Sequence, residues 1–223
     1  MRIRYLKNTD EILSNSPVVV HDAEMKKGQW KEYFQGSVAP GHPKALCLEF
    51  GCGKGKFLRE MAQRHPENAY IGVEKFSTIL ARAAMGVDVE DYPNLRLVRA
   101  DVLEVDQIFA PGEADGIFLN FSDPWPKERH SKRRLTSSRF LALYERLLKP
   151  EGELEFKTDN DALFEFSMDS LRQSGWEILY AVDDLHSTPL AQGNIMTEYE
   201  EAFVAAGKAI HKLCARKNRT SII

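Results

Sequence analysis

The sequence has few cysteines and no pattern of metal ligands. Cys47, Cys52 and Cys214 are the three cysteines in 223 residues. They include no C-x-x-C pair and leave an odd thiol in any pairing scheme, which speaks against a disulfide framework or a cysteine-based zinc site. Histidines at 21, 42, 65, 130, 186 and 211 share no ligand spacing, so no metal is expected. No apolar run approaches the roughly 18 residues a membrane helix needs. The start, Met1-Arg2-Ile3-Arg4-Tyr5-Leu6-Lys7, is mixed and basic rather than a signal peptide. A cytoplasmic protein without membrane contact follows. Internal repeats and low-complexity tracts are lacking too, and a chain of this length at 43% hydrophobic and 28% charged suits one large domain.

Strong net charge is also missing: the balance is −3. It is unevenly spread, however. From Glu151 to Glu201 there are 13 acidic and 2 basic residues, against 20 acidic and 28 basic elsewhere. Between Lys127 and Arg134 stand five Lys/Arg and one Glu, and such a local field matters more than the total.

Residues 1–43 have weak periodicity, punctuated by Gly28, Gly36, Pro40, Gly41 and Pro43, and read as a partly flexible N-terminal arm in which Arg2, Arg4 and Lys7 are candidate RNA contacts. Residues 44–223 read as the main domain. There the chain alternates: a strand at Ala45 to Phe50, a helix carrying Phe57, Leu58, Met61 and Ala62, and a strand at Ala69 to Glu74. A helix capped by Ser77 follows, then strands at Leu95 to Val98 and Gly116 to Phe121. Phe140, Tyr144, Leu147 and Leu148 mark another helix, Glu153 to Lys157 a strand, Phe164 to Leu171 a helix and Trp176 to Val182 a strand. Tyr199 to Ala205 and Ala209 to Ala215, flanking Gly207, read as a terminal antiparallel hairpin. The predicted fold class is α/β: a mostly parallel, doubly wound, Rossmann-like sheet with a C-terminal antiparallel hairpin.

Two motifs carry chemistry. Glu49-Phe50-Gly51-Cys52-Gly53-Lys54-Gly55 lies where the first strand hands over to the first helix. The dinucleotide fingerprint needs a glycine where Lys56 stands, and a phosphate loop needs a Gly-Lys-Ser/Thr ending that is absent. A carboxylate two residues before G-x-G-x-G suits a cationic ligand such as S-adenosylmethionine (SAM). Glu74, 19 residues after Gly55, can accept from ribose hydroxyls, and Asp101 from an adenine amino group. The second motif, Asn120-Phe121-Ser122-Asp123-Pro124-Trp125-Pro126-Lys127, follows a buried-strand pattern and runs into Arg129-His130-Ser131-Lys132-Arg133-Arg134. An acid and an aromatic ring held by two prolines at a ligand-binding sheet edge, with phosphate-seeking cations beside them, suggest chemistry on a nucleic-acid base.

These stretches, with Gly72 to Lys75, Phe156 to Asn160 and Thr197 to Glu200, resemble the bacterial tRNA (guanine-N7)-methyltransferase family. The resemblance spans Leu48 to the C-terminus and is only loose over residues 1–43. It implies methyl transfer from SAM to N7 of a guanine in the tRNA variable loop, with tRNA as partner; the sequence leaves monomer and homodimer both open. Carried over by position, Glu49, Gly51, Gly53, Glu74, Asp101 and Asp123 match the family's SAM-binding positions, and Asp123 its active-site acid. Lys127, Asp159, Thr197, Glu198, Tyr199 and Glu200 match substrate-binding positions, while Arg129, Lys132, Arg133 and Arg134 match the RNA-contact segment. Two other readings are a SAM-dependent methyltransferase of another substrate and a catalytically silent RNA-binding subunit; a nicotinamide dehydrogenase ranks last because the glycine spacing is wrong.

Overall fold

The computed structural model describes residues 6–38 and 41–217, so Arg2 and Arg4 lie outside the described residues. Five parallel strands, β1 (Leu46–Phe50), β2 (Ala69–Glu74), β3 (Leu95–Arg99), β4 (Ala114–Asn120) and β5 (Leu148–Thr158), are extended by β6 (Trp176–Val182) and β7 (His211–Lys217), of which β7 runs antiparallel to β5 and to β6, so that β6 runs with the first five. The order across the sheet is β3-β2-β1-β4-β5-β7-β6. Chain progression therefore reverses between β1 and β4, and a crevice opens beyond their C-terminal ends, where open α/β sheets bind ligands.

The helices are α1 (Thr9–Asn15), α2 (Trp30–Tyr33), α3 (Lys56–Arg64), α4 (Ser77–Ala84), α5 (Ser138–Leu147), α6 (Asp161–Gln173) and α7 (Glu198–Ala205). Two cores flank the sheet. On one face Leu46, Leu48 and Phe50 meet Phe140 and Tyr144 of α5 and Leu163, Phe164 and Leu171 of α6. On the other, Cys47 and Tyr70 meet Phe57 and Leu58 of α3 and Leu80, Ala81 and Ala84 of α4. Burial on both faces explains why β1 and β2 read as continuous apolar runs rather than alternating ones. Gly72 on β2 is required by this packing: a Cβ there would lie 2.6 Å from Leu58, 2.8 Å from Cys52 and 2.9 Å from Leu97. All three cysteines are free and buried. Among the described residues no helix is long and apolar enough to cross a membrane.

Three sequence expectations need correction. The antiparallel pair at the C-terminus is formed by β6 and β7, and Tyr199 to Ala205, expected as a strand, is helical. Thr197 ends the preceding chain and accepts the Glu200 N–H at 3.0 Å, which starts a helix where the sequence predicts a hairpin strand before Gly207. Ser77 is the first residue of α4 rather than its cap; Glu74 Oε1 accepts the Phe76 N–H at 2.9 Å instead. Finally, the described part of the N-terminal segment is built into the domain. The Trp30 and Phe34 rings are fully buried, the indole N–H donates to the Ile108 carbonyl at 3.0 Å, and both rings belong to the same core as β1. Val18 and Val20 also bond the backbone of Leu97, covering the β3 edge.

Trp30→Ala is expected to cost about 3–5 kcal/mol of unfolding free energy in urea titrations. A loss below about 1 kcal/mol would detach this segment from the core.

Candidate active site

The crevice at the reversal point is a cavity of about 910 Å³, in the range of small-molecule sites. Each strand end contributes to its wall: Gly51 and Gly53 after β1, Glu74, Lys75 and Phe76 at the end of β2, Asp101 and Leu103 after β3, Asn120 to Trp125 after β4 and Thr158 to Asn160 after β5. The glycine turn and the proline-braced aspartate therefore face one cleft, and Arg133 stands on its wall.

The turn after β1 is possible because Gly51, Gly53 and Gly55 hold φ of 75°, 58° and 74°, the left-handed region that side chains disfavour. Glu49 is buried near the end of β1. One carboxylate oxygen accepts from Asn120 Nδ2 at 2.7 Å, while the other is buried without a partner. Burial pushes its pKa up to about 8, against the Asn120 bond and the positive charge of Lys157. Glu74 is likewise raised, by burial first, although the N–H groups of Phe76, Gly53 and Lys75 favour its charged form. For Asp101 burial is outweighed: Leu103 N–H at 3.0 Å and Lys75 Nζ at 2.6 Å hold it below the ordinary carboxylate value.

The aspartate turn is strained. Phe121 and Trp125 are non-glycine residues at φ of 53° and 42°, each costing on the order of 1–3 kcal/mol. Two sets of hydrogen bonds hold them there. The Phe121 N–H donates to the Lys157 carbonyl at 2.9 Å, and Arg134 donates to the carbonyls of Pro124 and Trp125 at 3.1 and 3.2 Å. Arg134 is buried over the Phe166 ring and is a brace for the turn, which corrects its expected place among the RNA contacts. Arg129, Lys132 and Arg133 are exposed, and the Arg133 guanidinium lies 4.9 Å from the Trp125 ring.

The expected substrate residues are split. Asp159 and Tyr199 line the cleft, and Lys208 binds the Asp159 carboxylate at 2.5 Å. Lys127 is exposed beside the cleft rather than in its wall. Thr197 and Glu200 are buried and turned to internal partners, and Glu198 is not in the wall. Phe76, Ile79, Leu103, Arg139, Phe203 and Lys208 line the cleft without having been expected. They sit on helices and in loops that only the tertiary fold brings to the strand ends, so no local pattern flags them. Among the described residues no group of three or more His, Cys, Asp or Glu side chains is arranged to hold a metal ion.

Solved structures share this architecture. 16S rRNA methyltransferase KamB superposes with a TM-score of 0.62 at 11% identity, over 84% of this chain and 92% of that one. A mutant 16S rRNA (adenine(1408)-N(1))-methyltransferase with cosubstrate SAM, from Catenulisporales acidiphilia, gives 0.57 at 16% identity, over 87% and 93%. The fold is the Rossmann-like one that these methyltransferases share. A family model described as "Putative methyltransferase" matches residues 43–213. A tRNA (guanine-N(7)-)-methyltransferase of Lachnoclostridium phytofermentans is 45% identical over 219 residues, 98% of this chain and 100% of that protein. The chain belongs to the tRNA (guanine-N7)-methyltransferase family.

Glu49 yields a pH signature. Its folded-state pKa of about 8 stands above the ordinary 4.5. Its protonated form therefore contributes stability that is fully present below pH 4.5 and lost as pH rises towards 8. The ligand-free protein is expected to lose melting temperature relative to Glu49→Gln across that window. A constant difference in thermal scans would mark Glu49 as an ordinary carboxylate.

Proposed function

We propose that this chain transfers a methyl group from SAM to N7 of a guanine in the tRNA variable loop, in the cytoplasm. The observation that carries this reading is the shared cleft: glycine turn, strand-end acids and the Asp123 turn on one wall system, with exposed cations at its side. Near-full-length identity of 45% to a tRNA (guanine-N(7)-)-methyltransferase supports the choice of acceptor.

The residues fit SAM on structural grounds. The buried, partnerless oxygen of Glu49 is suited to a cationic amino-acid group, and burying an acceptor without a partner is costly otherwise. Glu49 with Gly51 and Gly53 would hold that end, Glu74 the ribose hydroxyls and Asp101 the adenine amino group. SAM, when bound, supplies a sulfonium-activated methyl group. Guanine N7 has an in-plane lone pair and no proton, so the chain needs no general base and contributes alignment and charge stabilisation. Asp123, presented by the braced turn, stabilises the positive charge that develops on the purine. Asp159 would accept from the N–H edge of the guanine. Trp125 shapes the pocket, and Arg129, Lys132 and Arg133 take backbone phosphates.

Incubation of unmodified tRNA transcript with labelled SAM, followed by borohydride/aniline cleavage, is expected to cut only within the variable loop. Label without cleavage, or cleavage elsewhere, would overturn the assignment. Asp123→Ala should lower kcat by roughly 10²–10³; near-normal transfer at saturating substrates would remove Asp123 from the chemistry. In binding titrations, the triple variant R129A/K132A/R133A should flatten the slope of log K against log salt by about 0.9 for each phosphate it no longer neutralises. Arg134→Ala, by contrast, should lower thermal stability.

A further inference from the structure

The short helix α7 is docked in an unusual way. Surface helices are normally held by an apolar stripe, yet the only α7 residue that is buried is Glu200, fully inaccessible to solvent. Its carboxylate accepts from Lys157 Nζ at 2.6 Å, Asn194 Nδ2 at 2.5 Å and His186 Nε2 at 3.0 Å. Lys157, also buried, spends its remaining donors on the Ile195 carbonyl at 2.7 Å and Asn194 Oδ1 at 3.1 Å. One ammonium thus gathers β5, the chain around residues 194–195 and α7. From the helix so placed, Tyr199 and Phe203 line the cleft, and the Phe203 ring lies 5.8 Å from that of Phe121. Lys157 acts on both sides, because its carbonyl also fixes Phe121 at the start of the Asp123 turn.

We infer that Lys157 and Glu200 are positioning residues: they set α7, and through it Tyr199 and Phe203, against the Asp123 turn, and so build the acceptor side of the cleft. Thr197 belongs to the same device as the helix cap, so the Thr-x-x-Glu pattern shapes the substrate wall without touching substrate. A buried ion pair suits this task. Its desolvation cost makes it a poor source of net stability, whereas its fixed geometry specifies one register. The inference rests on the proposed function, since the acceptor is taken to be a tRNA guanine.

The test uses the full chain, with Glu200→Gln, Phe203→Ala and their double variant. Glu200→Gln keeps the volume, and it keeps the Lys157 charge near Glu49. It is expected to raise amide hydrogen exchange over residues 197–205 and to lower kcat/KM for tRNA roughly ten- to hundredfold. SAM affinity by calorimetry should stay unchanged. Loss in the double variant should not exceed that of the worse single, because both act through one wall. Unchanged kcat/KM for tRNA, fully additive losses, or a parallel fall in SAM affinity would each overturn the inference. If Glu200→Gln does not fold, Glu200→Asp, which retains the pair but shortens its arm, must show the same tRNA-selective loss or the inference fails. Should wild type methylate no tRNA, the functional reading is what fails, and the exchange pattern still decides whether Glu200 sets the helix.

Discussion

A row of buried polar side chains across the C-terminal ends of β1, β4 and β5 governs how this molecule is built. Register puts Glu49 beside Phe118 and Asn120 beside Lys157, so Glu49, Asn120 and Lys157 share one face of the sheet. Charges at such depth are tolerated only when paired or hydrogen-bonded. The two ends of the row meet that demand differently. Lys157 is saturated by protein groups, and Glu200 with it. Glu49 has one oxygen held by Asn120 and one left over. The saturated end fixes structure, and the unsaturated end keeps a free acceptor beneath the glycine turn. A single row therefore separates a saturated brace from a carboxyl oxygen that the protein's own groups leave unpartnered.

The Asp123 turn depends on the same row and on one arginine. Two aromatic residues in left-handed backbone would relax without restraint. The Lys157 carbonyl holds the first and the Arg134 guanidinium the second. Arg134 can do this because its fork reaches two successive carbonyls while its plane lies over Phe166, a geometry that lysine lacks. The basic segment thus divides by burial rather than by charge. Arg134 turns inwards to shape the site, and Arg129, Lys132 and Arg133 remain available to solvent. Adjacent arginines with opposite duties cannot be told apart by composition.

Most of the sheet was legible because its signals are local. Fully buried parallel strands read as apolar runs, and the acids and glycines that punctuate them mark strand ends. The cleft wall followed for the same reason: Gly51, Gly53, Glu74, Asp101, Asp123 and Asp159 all sit within a few residues of a strand terminus. Failures came from tertiary pairing. Tyr199 to Ala205 reads as a hairpin strand because it abuts Gly207, yet the segment is a helix capped by Thr197. The Thr-x-x-Glu spacing is itself a helix-start signature, and it was the better local clue. No local pattern, however, announces that Glu200 will meet Lys157, 43 residues away, instead of solvent or substrate. The N-terminal segment misled in the opposite sense. Its periodicity is weak because it docks through a few large side chains, Trp30 above all, rather than through a repeating stripe.

Cations on the cleft wall and on the exposed segment before it resolve how a net-acidic chain can serve a polyanion. The wall carries the carboxylates of Glu74, Asp101, Asp123 and Asp159 together with Lys75, Arg133, Arg139 and Lys208, of which Lys75 and Lys208 are paired with Asp101 and Asp159, whereas Arg129 and Lys132 lie out in solvent. The acids of that wall suit a cationic donor and a base that becomes cationic on methylation. Cations outside attract phosphates. Exposed charges are screened over about 8 Å at physiological ionic strength, and buried ones far less. Salt should therefore weaken the grip of exposed Arg129 and Lys132 on a long anionic partner more than it weakens the field of buried Glu74, so capture depends on ionic strength more steeply than the hold on the donor does.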